Sequence, residues 1–375
     1  MALEKSNHKT GFVNKSQRYF ALDVFRGMTI ALMILVNTPG SWAYVYAPLR
    51  HAKWHGLTPT DLVFPFFLFI LGTAMVFSFS KFDFCRTKKI YLKIIKRTVI
   101  IFFVGIAIQL FSVFRQGVDF EHFRIMGVLQ RIALAYGIAA LLVLWFKIQY
   151  LWIIVITTLI GYWQLLLWTG GFELETNFVR TVDLAILGEN HLWRGNGIPF
   201  DPEGLLSTLP SIITVILGFF AGVMIHTAED QKENVKKMFI LGIGLTLIGW
   251  MWNFTMPINK QLWTSSYVLV SAGIAFIILT ILIWIIDING NKKPYRFFEI
   301  FGTNSLFVFA ASGLWVNIML WIRVGDKTLY SYMYSQWLVP IAGDLNGSLL
   351  FAIAHVAVWW LILNFMYHKK IFIKI

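Results

Sequence analysis

Long apolar runs separated by short polar clusters organise the whole chain. Runs long enough to cross a bilayer as a helix, about 20 residues each, stand near 20–38, 62–80, 98–114, 128–146, 149–168, 209–226, 238–255, 265–286, 298–321 and 348–366. The pattern predicts an all-α polytopic membrane protein, a bundle of about ten transmembrane helices over 20–366, since only segments that satisfy their own backbone persist in hydrocarbon. Short tails remain at 1–19 and 367–375. One connection, 169–208, is longer than a simple link between helices requires and is expected to fold as a structured outer loop.

Composition agrees with this pattern. The 375 residues are 58% hydrophobic and 14% charged, too apolar for a water-soluble surface. The net charge of +13 would suit nucleic acid, but its distribution excludes that partner. Of 32 lysines and arginines, 21 fall on one side of the ten-span arrangement, including seven between Lys81 and Arg97. Such asymmetry marks cytoplasmic loops beside anionic lipid. It predicts a multi-pass protein of the cell inner membrane with both termini cytoplasmic. The N-terminus lacks a short apolar core followed by a small-residue cleavage site, so no cleaved signal peptide is expected. The single cysteine, Cys85, cannot form an internal disulfide or a cysteine-based metal site.

Polar residues in or beside the spans are then the candidates for chemistry, because burying them in a membrane is costly. The first span carries Asp23 and Arg26 in its cytoplasmic third and Asn37 at its outer end. Asp23 and Arg26 at i, i+3 suit a mutual ion pair; Arg26 alone suits a phosphate or pyrophosphate. The densest cluster, HAKWHGLTPTDLVF, brings His51, Trp54, His55 and Asp61 to the entry of the second span. Asp61 can cap that helix, or it can hold a histidine in the tautomer whose other nitrogen acts as a base. His51 and His55 are four apart, but the interrupting Gly56 and Pro59 and the lack of a third ligand argue against a metal. Asp201, Asn259 and Lys260 fall on the same outer side, where sugar hydroxyls or an oxyanion could be gripped. Arg131 enters the fourth span from that side, and Asn304 lies in the cytoplasmic half of the ninth.

Six segments in order, RYFALDVFRGMTIALMILVN, HAKWHGLTPTDLVFPFFLFILG, RIMGVLQRIALAY, FDPEGLLSTLP, NKQLWTSS and GTNS, resemble the heparan α-glucosaminide N-acetyltransferase family and its bacterial relatives. The resemblance implies a transmembrane acyltransferase that takes acetyl from cytosolic acetyl-CoA to an amino sugar on the far side. It implies His51 as the active-site residue, with Asp61 at the matching downstream aspartate. It also implies Arg26 as a contact of the CoA phosphates. Arg131 and Asn304 are expected on the same donor side, and Asn37, Trp54, His55, Asp201, Asn259 and Lys260 near the acceptor. Two departures stand out: His55 occupies a position where the animal enzymes carry Asn, which leaves the base open between His51 and His55, and the large lumenal segment ahead of their first span is not expected here. The expected partners are acetyl-CoA, an amino-sugar or glycan acceptor and the lipid bilayer, with no metal; a homodimer is left open. A sugar permease is the competing class, since ten spans with buried polar groups also suit alternating access. No internal sequence symmetry supports it.

Overall fold

The computed structural model describes residues 19–117 and 119–373. Most of the expected N-terminal tail, together with the last two residues, lies outside them. Among the described residues nine helices are long and apolar enough to cross a membrane, and a tenth crossing is formed by a bent pair. They are α1 (Phe20–Asn37), α2 (Val63–Phe79), α3 (Lys88–Gln116), α4 (Val128–Trp145), α5 (Ile148–Trp168), α7 (Thr208–Thr227), α8 (Gln231–Trp252), α9 (Ser265–Leu282) and α13 (Val339–His368), with α10 (Arg296–Thr303) and α11 (Ser305–Trp321) as the pair. The short helices α6 (Phe178–Leu187) and α12 (Leu329–Met333) complete the helical set. The one sheet among the described residues is a hairpin of two-residue strands, Arg323–Val324 against Lys327–Thr328.

Helices α1, α2, α4, α7 and α9 form the interior, and α3, α5, α8 and α13 are mostly exposed. Of these, α2, α7 and α9 are apolar on every side, as a helix surrounded by other helices must be, whereas α1 and α4 also carry charged residues. Lipid tails are as apolar as leucine, so close backbone approach has to hold the helices together. Glycines provide it between α2 and α7: a Cβ at Gly72 would fall 1.9 Å from the Val215 carbonyl oxygen, and one at Gly218 would fall 1.9 Å from that of Phe69. Thr73 then donates across the seam to the Gly218 carbonyl. The same device joins α1 to α10, where a Cβ on Gly27 would overlap the Phe298 carbonyl and one on Gly302 that of Asp23. Beyond α9, Asp287 accepts from the Phe20 and Ala21 amides at 3.0 and 3.1 Å, satisfying the exposed donors at the start of α1.

Two departures from regular helices bear on function. The span expected over 298–321 is broken by 71° at Asn304, so α10 lies across the end of α1. The segment 169–208 holds α6 and the tight turn Glu189–His191, and Phe172 and Phe200, from its two arms, pack against Trp54 in the cluster that begins at His51.

Candidate active site

Residues 51–58 form an irregular loop that leads through the turn Pro59–Leu62 into α2. Asp61 organises it. The Asp61 side chain is 1% exposed, and its Oδ2 accepts from the Ala52 amide, the Thr58 amide and the Thr58 hydroxyl at 3.1, 3.0 and 2.9 Å. These contacts complete a capping box at the helix start. Its Oδ1 lies 2.7 Å from His51 Nδ1. The carboxylate thus has both functions offered by the sequence, one on each oxygen. With Nδ1–H donated to Asp61, the ring lone pair of His51 lies on Nε2.

Lys260, on the turn between α8 and α9, places Nζ 3.1 Å from His51 Nδ1 and 3.3 Å from Nε2, and 3.8 Å from Asp61 Oδ1. Burial pushes the Lys260 ammonium below the ordinary lysine range; Asp61 and Glu203 pull it back, while Arg131 adds to the depression. His55 points elsewhere: its Nδ1 is 3.3 Å from Asn259 Nδ2, and its Nε2 is 3.5 Å from a Glu173 carboxylate oxygen. Of the two histidines, His51 has a buried carboxylate behind it, while the carboxylate near His55 is exposed.

A cavity of about 390 Å³ opens on this group and is lined by His51, Trp54, Asp61, Trp193, Glu203 and Lys260 among others. Trp54 donates to the Phe172 carbonyl at 2.9 Å and meets Phe200 edge-on, so the loop 169–208 clamps the Trp54 ring. Asp201 is fully buried and takes both Nε and Nη2 of Arg124 at 2.8 and 2.7 Å, while Glu203 receives Nη2 at 2.6 Å. Burial disfavours the Arg124 charge, but these two carboxylates outweigh it and raise its pKa. Burial likewise favours a neutral Glu203, yet Arg124, Arg131 and Lys260 hold it below the usual carboxylate range. Asp201 is thereby committed to building the cavity wall rather than facing the cavity. Asn259 is similarly engaged: fully buried, it accepts from the Leu262 amide and reaches His55.

A second cavity, of about 310 Å³, lies among α1, α3, α4 and α11. Met33, Asn37, Val128 and Phe309 line both, so the two spaces meet at Asn37. Arg26 lies on the same face of α1, since Arg26, Ile30, Met33 and Asn37 recur at helical spacing. It is roughly 16 Å from Asn37 at 1.5 Å per residue. Arg26 donates to Asp23 at 3.2 Å and to the Gly302 carbonyl at 3.5 Å, close to Asn304. Asn304 itself grips the C-terminal segment, donating to the Ile371 carbonyl and accepting from the Ile373 amide. Arg131 does not join them. It is fully buried near the His51 end, donates to the Gly204 carbonyl and the Ser207 hydroxyl, and stacks on Trp263 at 5.1 Å.

Sequence reasoning had not singled out Asn196, Gln261 and Lys53, which also line the larger cavity. The signal for Asn196 lay in NHLWRGNGIPFDPEG, a stretch too polar for a membrane connector, but its partner is remote: Asn196 donates to Gln261 at 2.6 Å. Among the described residues no group of three or more His, Cys, Asp or Glu side chains is placed to hold a metal.

The fold and site define a polytopic, all-helical membrane protein with a histidine–carboxylate–lysine centre at one rim and a connected cavity running into the bundle. Residues 18–249 match the family described as heparan-alpha-glucosaminide N-acetyltransferase, catalytic, and the chain belongs to that family. It is similar to the heparan-alpha-glucosaminide N-acetyltransferase of Mus musculus, 29% identical over 96% of this chain and 61% of the relative. The Homo sapiens protein of the same name is 28% identical over 96% of this chain and 60% of its own length. The chain thus spans about three-fifths of these curated relatives.

Proposed function

We propose that this protein transfers acetyl from acetyl-CoA, approaching from the cytoplasmic side, to the amine of a glucosamine-type sugar at the outer face of the inner membrane. The observation that carries the reading is the 2.7 Å contact between His51 Nδ1 and the buried Asp61, at the mouth of a cavity that meets a second one at Asn37 and Met33.

The chemistry follows from what each group can do. An amine attacking a thioester must lose a proton, and His51 Nε2, with its partner nitrogen held by Asp61, accepts it. Negative charge develops on the carbonyl oxygen of the tetrahedral adduct. The Lys260 ammonium and the Asn37 amide are the donors available to it. Collapse of the adduct breaks the carbon–sulfur bond, and the imidazolium returns its proton to the departing CoA thiolate. The same nitrogen would carry the group if an acetyl-histidine forms first. Trp54 and Trp193 offer apolar faces to a sugar ring.

The donor's extended arm has to cover on the order of half a bilayer, and the Arg26 to Asn37 face of α1 offers about that length. Its nucleotide end would rest near Arg26 and Asn304. Family membership weighs toward an acetyl transferase and away from a permease. The test supplies labelled acetyl-CoA and glucosamine to the purified protein in detergent. Acetylglucosamine that forms with the native chain and disappears in His51→Ala supports the reading; sugar uptake into proteoliposomes with no acetyl transfer overturns it.

A further inference from the structure

Lys260 reaches the centre from a fixed base. The preceding residue, Asn259, is fully buried and bonds Leu262 and Thr264, and the Trp263 amide donates to the Lys260 carbonyl at 3.1 Å. Trp263 keeps a left-handed φ of 53°, which a bulky residue holds only where its surroundings impose it. The lysine arm thus starts from rigid backbone, and its side chain, 18% exposed, forms part of the wall of the larger cavity. Its Nζ is 3.1 and 3.3 Å from the two ring nitrogens of His51. The carboxylate oxygen it approaches, Asp61 Oδ1, is 3.8 Å away and is already met by His51 Nδ1 at 2.7 Å. Lys53, the other lysine on that wall, is exposed.

This arrangement puts a primary amine, the reacting group of the proposed acceptor, beside the proposed base before any acceptor arrives. An acceptor amine that gives its proton to His51 Nε2 must stand about 3 Å from that nitrogen, and Lys260 Nζ is 3.3 Å from it. A thioester carbon placed for attack by the first amine is therefore within a small rotation of the lysine arm from the second. Charge separates the two amines. Asp61 and Glu203 favour the Lys260 ammonium, which has no lone pair to attack with, while burial and Arg131 favour the neutral amine and leave the group below the ordinary lysine range. His51, Lys53 and Arg124 are the remaining titratable side chains on the cavity wall.

We propose that Lys260 is a self-acetylation site: when the acceptor is scarce, the donor's acetyl group passes to Lys260 Nζ with His51 as the base, and the protein is silenced. This inference rests on the acetyl-transfer reading and adds an internal acceptor to it. The Lys260 ammonium gives one proton to water. The amine then adds to the thioester carbon, the nitrogen–carbon bond forms and the carbon–sulfur bond breaks, and the second proton passes through His51 Nε2 to the departing CoA thiolate. If an acetyl-histidine forms first, Nζ is the amine next to it. The product is an amide, which does not pass its acetyl group on as a thioester or an acetylimidazole does. It has also lost the positive charge that Lys260 offers to the oxyanion. A sugar amine in the cavity takes the acetyl group instead and keeps Lys260 free.

The test incubates the purified native protein with trideuteroacetyl-CoA, with and without glucosamine. Peptide mass spectrometry follows the label on each lysine, and acetylated sugar is measured in the same samples. Without glucosamine, Lys260 should be labelled at least about tenfold faster than the exposed Lys53, the least expected of a nucleophile held in place. Activity remaining on later addition of glucosamine should fall in step with the label. Labelling should quicken as pH rises and the ammonium is lost, and glucosamine present from the start should protect. His51→Ala should slow labelling of Lys260 by about 10²-fold, the lower range for a general base, and leave Lys53 unchanged, while Lys260→Arg should resist the inactivation. The ratio of Lys260 to Lys53 in the native chain needs no variant, so a variant that fails to fold leaves the test intact. Acetylated sugar with no label on Lys260 would overturn the inference and leave the acetyl-transfer reading standing. Label on Lys260 no faster than on Lys53 and indifferent to His51→Ala is plain chemical acetylation and would overturn it too. Fast label on Lys260 that needs His51, with no sugar product and no protection, would uphold the inference while the reading of glucosamine as acceptor fails.

Discussion

Two parts of the bundle handle buried charge in different ways. Around His51 acids and cations meet: Asp61 lies against Lys260, and Asp201 and Glu203 share Arg124. Arg131, close by, instead stacks on Trp263 with its Nε and Nη1 unpaired, and Arg97 on α3 rests on Tyr136 with its Nε unpaired. Charges that meet hold one another in place, whereas a buried cation on a ring is held by the packing around it. The difference separates the proposed reaction centre from its supports, although both consist of polar residues inside an apolar bundle.

The largest effect that would break this contrast is at His51. Replacement by Ala should lower kcat by about 10³-fold, the range for a lost general base; a fall of less than tenfold, read in the acetyl-transfer assay, would return the base to His55. Next comes Lys260→Met, which should cost roughly 10² in kcat as one lost oxyanion donor. The Lys260 pKa is lowered, so the ammonium is lost at a lower pH than for free lysine. Activity should therefore fall on the alkaline side below the usual lysine range, and Lys260→Arg should move that limb to higher pH.

The smallest effect concerns stability. Asp183 on α6 is fully buried and its Oδ1 accepts from Leu205 and Leu206, while Oδ2 has no partner. Burial, opposed by those amides and reinforced by Asp201, raises its pKa from 3.8 to about 7. The folded state then binds a proton more tightly than the unfolded chain, so stability is greatest below the ordinary value of 3.8 and declines as pH rises toward about 7. Thermal melting across that range should show the decline, and Asp183→Asn should flatten it.

Much of the architecture was readable because a bilayer imposes length and apolarity on each crossing. Each of the ten expected runs has a helix or bent pair over it. The break at Asn304 was not readable, since GTNS holds no proline and the 71° turn comes from α10 packing on α1 through Gly27 and Gly302. His51 and Asp61 could be linked because they are close in sequence and chemically matched. Arg131 was grouped with Arg26 on charge alone, but which face of α4 it occupies depends on Gly204, Ser207 and Trp263, which are remote in the chain. Arg97 was read as one of seven positive charges at a loop, because nothing local reveals that Tyr136 lies beneath it.

Asp61 binds its own loop through one oxygen and His51 through the other. The geometry of the proposed base is therefore fixed by the same atoms that start α2, and no flexible tether lies between the His51 ring and the scaffold. Tuning the chemistry by altering this carboxylate would also loosen the rim that shapes the acceptor's entrance. Adaptation to new acceptors is thus easier from the opposite wall, where Trp193, Asn196 and Gln261 can change without disturbing the helix start.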